Sequence, residues 1–79
     1  MIRKLVDYVK ETEFRFTVFS DRIDILNYQE ILSLEDDRIC ITYDTGRMVI
    51  KGEHLTVGKL LDQEILIFGK VSEIEMSRT

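Results

Sequence analysis

Two periods of apolar residues divide the chain. Over residues 1–12, Ile2, Leu5, Val6 and Val9 recur at spacings of three and four, which puts them on one face of a helix. Arg3, Lys4, Asp7, Lys10 and Glu11 occupy the other positions. The segment reads as a short amphipathic helix, and a helix this short is marginal in water unless its apolar face docks. From Glu13 onward the period becomes two. Phe14, Phe16 and Val18 alternate with Arg15 and Thr17, and Ile23 and Ile25 alternate with Arg22 and Asp24, as half-buried strands do.

Turn signals separate the later strands. Ser20-Asp21 turns the chain, Asn27-Tyr28 breaks the alternation, and Glu35–Asp37 follows a brief apolar strand over Ile31–Leu34. "RICITYDTGRMVIKG" reads as a hairpin with Ile39, Ile41 and Tyr43 on one strand and Met48 and Ile50 on the other. Its loop, Asp44-Thr45-Gly46, predicts a type I turn with Gly46 in the left-handed region. Beyond Gly52 the apolar phase slips from even to odd positions, at Leu55 and Val57. Such a slip needs a bulge or turn, here within Lys51–His54. A second slip separates Ile65, Ile67 and Val71 from Ile74 and Met76, while Leu66 and Phe68 predict a strand covered on both faces. The expected architecture is mainly β: an antiparallel β-sandwich or partly open barrel of about seven short strands, with the helix over 1–12 and the β domain over 13–79.

Composition narrows the stabilising devices. A chain of 79 residues forms one small domain with a limited core. Cys40 is the only cysteine and His54 the only histidine, which excludes an internal disulfide and leaves a closed Cys/His zinc site short of ligands. A partner subunit is the remaining device, so a homo-oligomer enters the expectations. Fifteen acidic against eleven basic residues give a net charge of -4, which opposes nucleic-acid binding. No apolar run approaches the ~20 residues of a membrane helix and no signal-peptide core opens the chain. The single cysteine fits a reducing compartment, so the cytoplasm is expected.

Candidate chemistry is sparse. His54 follows Lys51-Gly52-Glu53 in an expected turn, and acid–base work needs a second group that spacing does not identify. Cys40 faces away from Ile39 and Ile41, and a nucleophilic thiol needs a lowered pKa. Glu35–Asp37 lacks the longer oxygen-rich loop of a calcium site. Gly46, Gly52, Gly58 and Gly69 match no phosphate-binding spacing. No catalytic residue, metal ligand or cofactor is assigned. Contact surfaces are the stronger candidates: the apolar set Ile2, Leu5, Val6 and Val9, and the open edges of a small sheet.

The stretch "GRMVIKGEHLTVGKLLDQEILIFGKVSEIEM" resembles the C-terminal half of the YabP/YqfC family of sporulation proteins. The matching pieces are Gly46, Ile50-Lys51-Gly52, Leu55, Val57, Glu64 to Gly69 and Val71 to Met76, and Asn27-Tyr28 fits upstream. Phe68 stands where the family pattern has an acidic residue. The resemblance spans about residues 14–76. It implies a non-enzymatic protein of an endospore-forming bacterium, acting in the mother-cell cytoplasm at the forming spore. The implied partner is a protein, such as an integral membrane protein of the engulfing membrane. The competing expectation is a small ligand-binding or enzymatic β domain that uses His54 or Cys40.

Overall fold

The computed structural model describes residues 13–78; the expected helix and its residues Ile2, Leu5, Val6 and Val9 lie outside them. Six strands follow in order: β1 (Arg15–Val18), β2 (Arg22–Leu26), β3 (Glu30–Leu34), β4 (Arg38–Tyr43), β5 (Gly46–Leu60) and β6 (Glu64–Arg78). They form one antiparallel sheet in the order β1-β2-β6-β5-β4-β3. The mainly β expectation holds, but the division into short strands does not. Residues 46–60 and 64–78 form two strands of 15 residues each.

These long strands carry the phase slips as bends. Register shifts fall between Lys51 and Gly52, Glu53 and Thr56, and Val57 and Lys59. His54 takes a φ of 54° at the first bend, and Gly69 a φ of 132° on the facing strand. Beyond the bend each strand changes neighbours. The first part of β5 lies between β4 and the end of β6, with Ile39 opposite Ile50 and Ile50 opposite Ile74. Among the described residues its later part pairs only with the start of β6, whose other neighbour is β2, with Ile23 opposite Ile67 and Ile25 opposite Ile65.

The bend folds one face of the sheet onto itself. Ile23, Ile25, Ile65 and Ile67 from one half share a core with Ile39, Ile41, Met48 and Ile50 from the other, and all eight are under 2% exposed. A flat sheet with a bare face does not bury side chains so completely. The buried residues of both halves form one cluster, so each half covers the other. Leu55 completes the core near the bend. Phe14, just before β1, stacks on Tyr43 of β4 with ring centroids 4.2 Å apart, joining the two halves away from the shared hairpin.

Local chemistry explains the bend. The amide N–H groups of Gly52 and Leu55 donate to the carbonyl oxygens of Asp37 and Asp36 at 3.1 and 2.7 Å. The Glu35–Asp37 turn thus satisfies backbone donors that the bulged strand has turned away from its ladder. Gly69 N–H donates likewise to Asp21 O at 3.0 Å. Three expectations need correction. The β4–β5 connection has two residues, Asp44 and Thr45, because Tyr43 pairs directly with Gly46. Gly46 does not have positive φ; a Cβ there would lie 2.1 Å from Ser77 O, so close strand approach is what requires glycine. Nor is β6 covered on both faces: Phe68 is 39% exposed.

Candidate functional site

The two residues expected to carry any catalysis are separated by the fold. Cys40 lies on β4 opposite Val49 and is buried with a free thiol. His54 is exposed on the bulge of β5. Neither side chain has a hydrogen bond or ion pair among the described residues, so no nucleophile–base arrangement joins them. The carboxylates of Glu35, Asp36 and Asp37 are exposed around their turn. Among the described residues, no group of three or more His, Cys, Asp and Glu is clustered to hold a metal ion.

A surface concavity lies elsewhere. An open groove of about 1040 Å³ runs between the β2–β3 connection and the β5–β6 turn. Asn27 ends β2 with a φ of 65°, a left-handed conformation that asparagine tolerates better than most residues. This conformation accompanies the break in alternation at Asn27-Tyr28. The Asn27 amide N–H donates to Gln63 O, and its side-chain Nδ2 donates to Glu13 O at 2.7 Å. The Tyr28 hydroxyl reaches across the groove to donate to Leu61 O at 2.9 Å. Gln29 N–H donates to Thr42 O at 2.7 Å, and Leu61 N–H to Glu64 O at 2.8 Å closes the opposite turn. The groove walls are thus fixed by backbone bonds on both sides.

Two edge strands end at this groove: β3, which closes the sheet on one side, contributes Glu30 and Ile31, and β5, which beyond the bend pairs with β6 alone among the described residues, contributes Leu60. Leu60 and Leu61 are 53% and 51% exposed there. Glu30, Asp62 and Glu64 add carboxylates. Lys59 Nζ lies 3.8 Å from Glu64, whereas the Glu30 and Asp62 side chains have no ion-pair partner among the described residues. Asp24 on the neighbouring strand has Oδ1 buried without a donor. Glu64 lies beside it. A side-chain hydrogen bond to Asp24, with desolvation and the adjacent charge, raises the Glu64 pKa against the lowering influence of Lys59. On the other half of the sheet, the Lys51–Glu75 ion pair at 3.1 Å holds the Glu75 pKa below its ordinary value.

Sequence reasoning noticed Asn27-Tyr28 as a break and the polar turn before Glu64, but it did not join them. Their juxtaposition depends on the bend, which brings the β5–β6 turn beside β2 and β3. The site so defined is a surface cleft on a self-folded β-sheet. The YabP family model matches residues 19–79, and the chain belongs to the YabP family. That membership fits a sporulation-related protein, and the family is not known for enzymatic activity. No curated protein and no solved structure gives a significant match to the chain.

Proposed function

We propose that this YabP-family chain is a non-enzymatic interaction module of endospore formation. In this reading it works in the mother-cell cytoplasm and binds another protein, with an integral membrane protein of the developing spore as the partner class. The observation that carries the reading is the pair of strand edges left open among the described residues, with exposed apolar side chains. Leu32 and Leu34 on β3 are 50% and 47% exposed, and Val57 and Leu60 on β5 are 38% and 53% exposed. Unpaired edges with such side chains favour association with another chain. The apolar residues Ile2, Leu5, Val6 and Val9 supply a second contact surface on the strength of their spacing.

Affinity capture of the tagged full-length protein from sporulating cells tests the proposal. A Leu5→Glu/Val9→Glu variant is carried in parallel. Recovery of one membrane protein with the wild type supports the adaptor role, and its loss from the variant assigns docking to the N-terminal apolar face. Recovery of no protein by either chain, with both soluble and folded, overturns the interaction reading.

A further inference from the structure

We propose that the groove between the β2–β3 connection and the β5–β6 turn binds an extended, basic and leucine-rich segment of a partner protein. This inference rests on the interaction reading above and assigns the contact to a particular surface. Three features select that occupant. The first is backbone geometry: two edge strands reach the groove, β3 with its first residues Glu30 and Ile31 and β5 with its last residue Leu60, which pairs with β6 alone among the described residues. An extended segment adds to such edges through main-chain hydrogen bonds.

The second feature is apolar. Leu60 and Leu61 expose about half of their surface beside the groove, and the partly buried Leu26 and Ile31 also line it. Alternate side chains of an added strand reach the same face, so a segment with an apolar residue at every second position matches them. The third is charge. Among the described residues, Glu30 and Asp62 are exposed without ion-pair partners, and those that line the groove include no Lys, Arg or His. Lys59 offsets Glu64 from the neighbouring position, which leaves Glu30 and Asp62 as the carboxylates available to a cation. Lysine or arginine between the apolar residues complements them, whereas an acidic segment is repelled.

The groove walls are fixed before binding. Asn27 N–H to Gln63 O and Tyr28 Oη to Leu61 O hold the two sides together. Little ordering is then required of the protein, and the main entropy cost falls on the incoming segment. The two unpaired carboxylates give binding a strong salt dependence.

A fluorescein-labelled peptide of roughly ten alternating leucine and lysine residues, the length of a typical added strand, is titrated onto the full-length protein and followed by anisotropy. A leucine–glutamate peptide of equal length serves as the control. The basic peptide is expected to bind and to shift the amide resonances of Tyr28, Gln29, Leu61 and Gln63. A Glu30→Lys/Asp62→Lys variant is expected to bind it about tenfold more weakly, with an unchanged Tm because both positions are exposed. Equal affinity for the variant, resonance shifts confined to other surfaces, or no binding of the basic peptide each overturns the assignment. The same variant in the cellular capture separates this inference from the broader one. Partner recovery that survives the double substitution removes the groove from the contact and leaves the interaction reading standing.

Discussion

Gly69 is the residue on which the bend depends most directly. Its φ of 132° lies in a region that glycine enters freely and other residues enter only under strain. A Cβ at this position would sit 2.7 Å from His54 O, 3.0 Å from Glu53 O and 3.0 Å from Leu55 Cα. All three are backbone atoms of the facing strand, so no side-chain rotation relieves the collision. Gly69→Ala therefore adds conformational strain to a steric clash, for a cost of about 3 kcal/mol. A domain of this size has total stability of roughly 4–12 kcal/mol, so the loss is large. Thermal unfolding followed by circular dichroism reads it as a fall in Tm of about 12–24 °C. The adjacent exposed Lys70, substituted to Ala, serves as a control and is expected to stay within about 0.5 kcal/mol of wild type. If Gly69→Ala melts within about 3 °C of wild type, close approach and positive φ at this residue do not govern the bend.

Three further outcomes follow from the packing and the charges. Ile41→Ala removes a fully buried side chain from the shared core and is expected to cost about 2–5 kcal/mol in urea denaturation; a loss under about 1 kcal/mol would contradict the two-layer packing. A double-mutant cycle on Phe14→Leu and Tyr43→Leu is expected to give a coupling of about 0.5–1.5 kcal/mol, since the rings stack at 4.2 Å, and zero coupling would refute a direct contact between the halves. Glu64 is expected to titrate above an ordinary glutamate because of Asp24. Its raised folded-state pKa favours folding below the unfolded pKa, and that contribution disappears as pH rises through the folded value. Asp24→Asn should lower the Glu64 midpoint in a carboxyl carbon NMR titration, and an unmoved midpoint would remove Asp24 as the cause.

The alternation of apolar residues from Phe14 onward was sufficient to define a β protein, because side-chain period two is a local property of extended chain. Local pattern also located both phase slips. At Lys51–His54 and after Val71, apolar residues change parity, and the structure places bulges there. The same residues did not reveal that the strands continue through the bulges. Strand identity depends on pairing with another part of the chain, and β5 and β6 supply that pairing to each other along most of their length. Gly46 shows the limit at single-residue scale: its sequence neighbours suggested a turn conformation, whereas the constraint comes from Ser77, distant in sequence.

The candidate site was less legible than the fold. Asn27-Tyr28 and the turn before Glu64 were visible as separate breaks. Their assembly into a groove with Glu30 and Asp62, unpaired among the described residues, required the folded hairpin, because it joins segments more than thirty residues apart, as in the Tyr28–Leu61 hydrogen bond. The sequence by itself determined the period, the places where the period fails, the charge and the family resemblance, all of which are written in neighbouring residues. Tertiary structure decided which face became core, which edges remained open and which carboxylates lacked partners, because each depends on what another part of the chain covers.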